Sequence, residues 1–298
     1  MQNADRFGFD DQISLSFEAV NVGKDTASQL REQFVPLRKL GAGGMGHIYI
    51  VQERLGGRIV ALKVMDQSGP SDRSLVEQFM REAIITARLQ HPHIVPVYKI
   101  GFLTDGKLYY TMRYVDGGTF KRVLPQLDLR QRLRVLCFAA SAVRHAHERG
   151  LWHRDLKPDN ILVGHHPNEV YVIDWGLVTV VSGYSYQMKL PSIIIKAQDL
   201  IDDPLPDLLL KETSQAITQP VSAEDGLLIG TPMYMAPEQL APSNSAMGPC
   251  SDVWAFGVML YEALAGKHPY KEHIPSSIDS CTGDHSFHLS WVYGLLNL

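Results

Sequence analysis

The sequence has few cysteines and no long hydrophobic run. Its 298 residues include three cysteines without disulfide or metal-ligand spacing, which is typical of a reducing compartment. The longest apolar stretch, residues 253–265, contains Glu262 and is too short to cross a bilayer. The N-terminus has acidic residues where a secretory signal would have basic ones. We therefore expect a cytoplasmic chain without a membrane span.

Excess charge of either sign is also lacking. The chain has 28 Lys and Arg residues against 32 Asp and Glu residues, a net charge of −4. Because nucleic-acid-binding domains are usually basic, we expect no nucleic-acid partner. Residues 177–229 alone contain 7 acidic residues and 3 lysines, so the net charge is concentrated there. This segment has few regular turn signals and is predicted to be a long loop.

The order of the secondary-structure patterns predicts an α+β fold. Up to residue 118, short β-branched runs alternate with polar or glycine-rich turns, and one helical pattern lies at 74–89. Helical patterns follow at 130–149 and 251–265. The second of these is apolar on nearly all sides, which predicts a buried helix. The chain thus divides into a small antiparallel β lobe with one helix and a mainly helical lobe.

A glycine-rich motif of the form G-x-G-x-x-G lies between two predicted strands. It comprises Leu40, Gly41, Ala42, Gly43, Gly44, Met45, Gly46, His47 and Ile48. Glycines let the backbone approach phosphates closely and direct its N–H groups at them. The motif alone also suits an ordinary hairpin turn. Because a strand follows it, rather than the helix of a dinucleotide site, the pattern favours a hairpin that covers a nucleotide.

Lys63 lies at the centre of an apolar strand, in the run A-L-K-V. An ammonium group that is buried without a partner is costly, so a buried Lys63 requires a negative charge. Glu82 on the next predicted helix is the best candidate, and a nucleotide phosphate is the other. A strand lysine that faces solvent is the alternative that the sequence leaves open.

The most specific pattern is the run H-R-D-L-K-P-D-N at 153–160, which I-D-W-G follows at 173–176. Phosphoryl transfer requires a carboxylate to orient a hydroxyl, a cation near the transferred phosphate, and oxygen ligands for magnesium. These groups are supplied, in that order, by Asp155, Lys157, Asn160 and Asp174. The pattern therefore predicts a phosphotransferase.

Two further motifs, G-T-P-M-Y-M-A-P-E at 230–238 and S-D-V-W-A-F-G at 251–257, complete an ordered set. With them the chain resembles the eukaryotic-type (Hanks-type) serine/threonine protein kinases, which bacteria also carry. The resemblance extends over residues 34–270 and implies the two-lobed protein-kinase-like fold. It gives an N-lobe at 34–115, a C-lobe at 116–270 and a long activation-segment insertion at 177–229.

The remaining residues lack the family pattern. Residues 1–33 are expected to be an N-terminal tail. Residues 271–298 are expected to be a C-terminal tail, so that the C-lobe is incomplete at its C-terminal end. Part of the helix at 253–265 would then be exposed, and self-association is expected.

The resemblance implies ATP and Mg²⁺ as cofactors and assigns the ATP-binding residues. The glycine motif would cover the phosphates, and Lys63, paired with Glu82, would hold the α- and β-phosphates. The adenine pocket would consist of Leu40, Ile48 and Ala61 as walls, Met112 at the back, and Tyr114 and Val115 as the hinge. Arg113 stands at a hinge position where the family often has Glu.

The resemblance also assigns the catalytic residues. Asp155 would be the catalytic base, Lys157 would steady the γ-phosphate, and Asn160 and Asp174 would ligate magnesium. In the activation segment, the matching residues are Thr231 and Glu238, and Asp252 would brace the catalytic-loop backbone. Trp175 replaces the usual Phe, a larger aromatic residue that we expect to be tolerated.

The function that the resemblance implies is transfer of the γ-phosphate of ATP to Ser or Thr hydroxyls of a protein substrate. Lys157 and Thr231 are typical of Ser/Thr rather than Tyr kinases. One alternative is an ATP-binding pseudokinase or scaffold that is inactive because its C-lobe is incomplete. A small-molecule phosphotransferase is the other, although Thr231 lies in a segment that docks peptides in the kinases.

Overall fold

The computed structural model describes most of the chain up to residue 180 and two later segments. The described residues are 30–43, 46–65, 73–103, 107–166, 168–176, 179–180, 232–240 and 248–270. They belong to two units, one comprising Met1–Ala83 and Pro96–Tyr114, the other Ile84–Val95 and Val115–Leu298. The expected N-terminal tail up to residue 29, nearly all of the 177–229 insertion and the whole C-terminal tail lie outside the described residues.

The first unit is built on a five-stranded antiparallel sheet. Its strands are β1 (Phe34–Gly43), β2 (Gly46–Glu53), β3 (Ile59–Met65), β4 (Val97–Phe102) and β5 (Leu108–Arg113). Helix α1 (Arg73–Arg88) begins in this unit and lies between β3 and β4 in the chain. The order in the sheet is β1-β2-β3-β5-β4, so β3 pairs with β5, although α1 and β4 lie between these two strands in the chain. The predicted antiparallel β lobe with one long helix is confirmed.

The two faces of this sheet have different roles, because successive side chains of a strand point to opposite faces. One face belongs to an apolar core formed by Leu30, Phe34, Tyr49, Val51, Val60, Leu62, Val64, Leu103 and Tyr109. Residues one step along the central strands lie on the other face. Cross-strand register places Ile48, Lys63 and Tyr110 side by side there. The alternation of β3 thus puts Lys63 on the face opposite the apolar core.

The second unit contains the longer helices and only short strands. In the described part its elements are β6 (Gly117–Thr119), α2 (Phe120–Val123), α3 (Leu129–His147), β7 (Leu151–Trp152), β8 (Ile161–Gly164), β9 (Val170–Val172), β10 (Thr179–Val180), α4 (Pro237–Leu240) and α5 (Pro249–Ala265). Single 3₁₀ turns lie at Leu124–Gln126, Pro158–Asn160 and Pro232–Tyr234. The strands form a three-stranded sheet, β6-β8-β9, and the pair β10-β7. The mainly helical lobe is therefore confirmed for the described residues.

Helices α3 and α5 pack against each other in antiparallel orientation. Near the start of α3, Arg132 Nη1 donates to the carbonyl of Ala263, 3.0 Å away near the end of α5. At the other end, His147 Nε2 lies 2.7 Å from Oδ2 of Asp252. Gly266, with φ of 70°, ends α5 in the left-handed conformation that glycine adopts without strain.

Only one side of α5 is buried: the prediction of a buried helix is wrong for the other side, where the exposure that was also expected for part of this helix is found. Its buried residues include Ala255, Val258, Met259 and Ala263. On the other side, Val253 is 64% exposed and Leu264 is 57% exposed. Hydropathy on all sides of a helix does not show which side is covered, so the sequence pattern overestimated its burial. None of the helices in the described segments is long and apolar enough to cross a membrane.

Candidate active site

The first unit contains a buried ion pair between β3 and α1. Lys63 Nζ lies 2.6 Å from Oε1 and 2.8 Å from Oε2 of Glu82. Lys63 is 8% exposed and Glu82 is 3% exposed. Because each charge meets its partner at short range, burial of both groups is tolerated. The predicted pairing is confirmed, and the alternative of a solvent-facing lysine is wrong.

Tyr110 of β5 is a further member of this pair that the sequence analysis missed. Its hydroxyl donates to Oε1 of Glu82 at 2.5 Å. Its ring packs against Phe79 of α1 with centroids 5.3 Å apart, and Lys63 Nζ lies 5.7 Å from both ring centroids. An aromatic residue in an apolar strand is typical of core packing. Only the position of Tyr110 opposite Lys63 in the sheet shows that its hydroxyl can bind Glu82.

The glycine motif forms the end of the β1–β2 hairpin, with Gly43 opposite Gly46. Gly44 and Met45 lie outside the described residues. A Cβ on Gly46 would lie 2.2 Å from the carbonyl oxygen of Val64, so strand pairing requires a glycine there. A Cβ on Gly41 would meet no atom within 4 Å in the structure. No contact within the described residues therefore requires a glycine at position 41, whereas a ligand that approaches the hairpin backbone closely would require one.

Three of the residues assigned to the adenine pocket lie on the Lys63 face of the sheet. Ala61 of β3 is 4% exposed and pairs with Met112 of β5. Ile48 of β2 pairs with Lys63. The other residues assigned to the pocket are Leu40, which is exposed on β1, and Tyr114 and Val115, which are half-buried after β5. His47 of the glycine motif is half-buried on β2 and pairs with Val64 of the apolar core. The sheet thus brings together apolar side chains beside a buried lysine.

In the second unit, the loop after β7 brings Asp155, Lys157 and Asn160 together. Lys157 Nζ donates to Oδ2 of Asp155 at 2.7 Å. Asn160 Nδ2 lies 2.8 Å from the carbonyl oxygen of Asp155 and 3.2 Å from its Oδ2. The side chain of Asp155 is 10% exposed. A mostly buried carboxylate is therefore fixed by a cation and an amide.

Asp174 is connected to this loop through the residue before it. The Ile173 N–H donates to the carbonyl of Asn160 at 3.0 Å. His153 Nε2 lies 3.0 Å from the Ile173 carbonyl, and the Asp155 N–H reaches His153 Nδ1 at 3.3 Å. Because Nδ1 accepts, the proton of the neutral ring is on Nε2, which donates to Ile173. These bonds place Asp174 next to the catalytic loop.

Trp175 is fully buried, and its ring lies 4.7 Å from that of His153. The larger aromatic residue at this position is thus accommodated in the core.

Asp252 of α5 holds the backbone of the catalytic loop, as predicted. Its Oδ2 accepts from the His153 N–H at 2.9 Å, and its Oδ1 accepts from the Arg154 N–H at 2.8 Å. His147 also contacts Oδ2 and was not singled out in the sequence. Arg154 has a φ of 67°, which is uncommon for a residue with a side chain. Burial lowers the pKa of the Arg154 guanidinium, and the charge of Asp252 opposes this.

The described end of the activation segment is fastened at three points. Glu238 Oε1 accepts from the Ser251 hydroxyl at 2.7 Å. The Tyr234 hydroxyl donates to Glu262 at 2.8 Å, and burial, reinforced by Glu262, raises the pKa of this phenol. Gln239 Nε2 donates to the Arg154 carbonyl at 2.7 Å. Thr231 lies outside the described residues.

The residues present fit a magnesium ion. Mg²⁺ prefers oxygen ligands and is usually held by one or two protein groups together with waters and substrate phosphates. Asn160 and Asp174 offer an amide and a carboxylate oxygen. Because the amide nitrogen of Asn160 donates to Asp155, its oxygen is the atom suited to coordination. Among the described residues, no cluster of three or more His, Cys, Asp or Glu side chains forms a larger metal cage.

The comparisons with known proteins agree with this arrangement. The model of the protein kinase domain matches residues 34–193 and 214–291. The serine/threonine-protein kinase PknD of Chlamydia abortus is 36% identical over 266 residues, which cover 82% of this chain and 26% of the relative. PknD of Chlamydia pneumoniae is 34% identical over 255 residues, which cover 80% of this chain and 25% of the relative. The chain therefore belongs to the protein kinase family.

The extent of these matches adds two facts. The family match passes over residues 194–213, within the predicted insertion, and continues to 291, beyond the domain boundary predicted at 270. The chain spans about a quarter of the length of the curated relatives it matches.

Proposed function

We propose that this chain is a serine/threonine protein kinase that transfers the γ-phosphate of ATP to a Ser or Thr hydroxyl of a protein. The observation that carries the proposal is the buried Asp155 carboxylate, which Lys157 and Asn160 hold on a loop braced by Asp252. The family and the names of the PknD relatives support the same activity.

In the proposed reaction, Asp155 orients the acceptor hydroxyl and accepts its proton. The hydroxyl oxygen attacks the γ-phosphorus, the bond from phosphorus to the β–γ bridging oxygen breaks, and ADP leaves. Lys157, 2.7 Å from Asp155, would place its positive charge beside the transferred group. The short contact between the two side chains keeps the base and the cation in a fixed relation.

The nucleotide phosphates would be held by residues of the first unit. We assign the phosphate contacts to Lys63 and the glycine hairpin, where Gly41 leaves open space at the backbone. Asn160 and Asp174 would hold magnesium. When bound, magnesium neutralises negative charge on the phosphates. Glu82, 2.6 Å from Lys63 Nζ, orients this lysine.

This set of contacts supports an active kinase over a pseudokinase or scaffold. Lys63, Asp155, Asn160 and Asp174 are all present; Lys63 is paired with Glu82, Asn160 is bonded to Asp155, and the residue before Asp174 is bonded to Asn160. A small-molecule phosphotransferase is disfavoured by Thr231, which lies in a segment that docks peptides in the resembling kinases.

We further propose a kinase domain at 34–270, an activation-segment insertion at 177–229 and tails at 1–33 and 271–298. We also propose a cytoplasmic location, no nucleic-acid partner, and self-association through the exposed side of α5.

The activity is tested by transfer of radiolabelled phosphate from ATP to the full chain and to a generic basic protein. We expect label on serine or threonine, and a loss of about 10²–10⁴-fold in Asp155→Asn, because the amide does not accept the proton. Asp128→Asn is the matched control. Asp128 caps α3 through the Gln131 N–H, and asparagine caps helices equally well. Equal activity of Asp155→Asn and the wild type would refute the assignment of the base.

A further inference from the structure

We propose that Gln239 is a positioning residue that fixes the peptide unit before the catalytic base Asp155. The inference rests on the proposed kinase function and adds a residue to which no role had been assigned. Gln239 follows A-P-E in the sequence and is half-buried in α4. Its amide connects the end of the activation segment to the catalytic loop.

Both ends of the Gln239 amide are used. Nε2 donates to the carbonyl oxygen of Arg154 at 2.7 Å. Oε1 accepts from the backbone N–H of Ala236 at 3.0 Å. The second bond lies within the activation segment and fixes the orientation of the side chain. The first bond can therefore be made only while the segment end keeps its place.

The Arg154 carbonyl and the Asp155 N–H belong to the same peptide unit. In a trans peptide the C=O and N–H bonds lie in one plane and point in opposite directions. The Asp155 N–H is held by His153 Nδ1 at 3.3 Å, and the carbonyl is held by Gln239. With a partner at each edge, the plane is fixed, and with it the backbone from which the Asp155 side chain extends.

This peptide unit needs such support because Arg154 has a φ of 67°. A residue with a side chain keeps this conformation only when surrounding contacts stabilise it. Asp252 holds the Arg154 N–H, on the other side of the same residue. Without Gln239, the carbonyl side of Arg154 would lose its hydrogen bond, and the orientation of Asp155 would become less well defined.

The role is tested in the full chain with Gln239→Met, which keeps the length of the side chain and removes both polar contacts. We expect kcat to fall about tenfold, because loss of the bond to the Arg154 carbonyl loosens the backbone that orients Asp155, while KM for ATP stays within about twofold. Gln52→Met is the matched control, because Gln52 Nε2 also donates to a backbone carbonyl, that of Gly57 at 3.0 Å. It should have the kcat of the wild type.

Gln239→Glu separates positioning from simple packing. A protonated carboxyl group donates to the Arg154 carbonyl as the amide does, whereas a carboxylate is repelled by it. An ordinary glutamate is ionised at neutral pH, so Gln239→Glu should lower kcat further than Gln239→Met does. A kcat of Gln239→Glu equal to that of the wild type would contradict the proposed bond.

Hydrogen exchange tests the inference without kinase activity. Amides of the loop at 153–155 should exchange faster in Gln239→Met than in the wild type, and those of α5 should not change. Unchanged exchange, or unchanged kcat in an active chain, would overturn the role of Gln239. An inactive wild type would instead count against the proposed function, and the exchange measurement would still decide on Gln239.

Discussion

A buried lysine is stable only when a negative charge lies close to its ammonium group, and Lys63 has such a partner. Glu82 supplies the opposite charge at 2.6 Å, and Tyr110 supplies a neutral donor to the same carboxylate at 2.5 Å. A carboxylate that accepts from two sides has less freedom to rotate away from the lysine. Tyr110 thereby contributes to the position of Lys63.

Removal of the Tyr110 hydroxyl should weaken this arrangement without disturbing the ring. We expect Tyr110→Phe to lower kcat/KM for ATP about fivefold, because one hydrogen bond to Glu82 is lost while the Phe79 contact remains. The measurement is kcat/KM from steady-state kinetics at varied ATP concentrations, with Tyr109→Phe as the control variant. Tyr109 lies on the opposite face of the sheet, where its hydroxyl contacts Gln33 at 3.1 Å. Equal values for the two variants would contradict the role of Tyr110.

Residues that lie within short motifs could be predicted from the sequence, including Asp252 in its own motif, whereas Tyr110 and Gln239 could not. Asp155, Lys157 and Asn160 lie within six residues of each other, so their spacing was sufficient to identify them. Tyr110 lies 28 residues from Glu82, and Gln239 lies 85 residues from Arg154. No local pattern marks such partners, because only the pairing of strands and the packing of loops brings them together.

At the scale of elements, the segment that connects α1 with β4 is attached to α3 by a group of histidines. His91 Nε2 lies 3.3 Å from the Ser141 hydroxyl, and its Nδ1 accepts from the His93 N–H at 3.2 Å. The rings of His91 and His145 are 5.0 Å apart, and the His93 ring stacks on Phe138 at 4.2 Å. Because His91 Nδ1 accepts a hydrogen bond, this attachment requires the neutral form of the His91 ring.

The electrostatics of this group favour the neutral form. Burial lowers the pKa of His91, and the charges of His145, His93, Arg144 and Arg149 lower it further. Burial and Arg149 also lower the pKa of His145, although Glu148 opposes this. In the unfolded chain these histidines have an ordinary pKa near 6.5, so below that pH the unfolded state binds more protons. Acid should therefore destabilise the fold here.

We expect the thermal midpoint of the full chain to fall as the pH is lowered from about 7.5 to about 5.5, because His91 and His145 must take up protons on unfolding. His91→Gln should reduce this dependence, since glutamine does not titrate. His165→Gln is the control, as His165 is exposed and contacts Asp116 at the surface. An identical pH dependence in the wild type and His91→Gln would show that this group does not contribute.

The sequence predicted where the helices end better than it predicted which of their sides are buried. Gly150 and Gly266 stand after α3 and α5 with φ of 71° and 70°, a conformation that favours glycine, so the ends of both helices were recognisable. Which side of α5 is covered could not be recognised, because Val253 and Leu264 are as apolar as the buried Val258 and Met259. Burial is set by the packing of other elements, and hydropathy does not encode it.

At the scale of the whole molecule, the chain joins two units that each carry part of the proposed machinery. The first contains the Lys63–Glu82 pair, and the second contains Asp155, Asn160 and the connected Asp174. The proposed function therefore requires Lys63 in the first unit and Asp174 in the second for the same phosphate transfer.

The most direct test compares phosphate transfer by the wild-type full chain, Lys63→Met and Asp174→Ala, with thermal unfolding as the check on folding. Lys99→Met is the control, because Lys99 lies on β4, where it donates to Gln33 at 2.6 Å and lies 5.7 Å from the Tyr109 ring, and it has no role in the proposed site. The account predicts that Lys63→Met and Asp174→Ala each lose activity by at least about 10²-fold while Lys99→Met retains it. Near-normal turnover in either folded variant would contradict it.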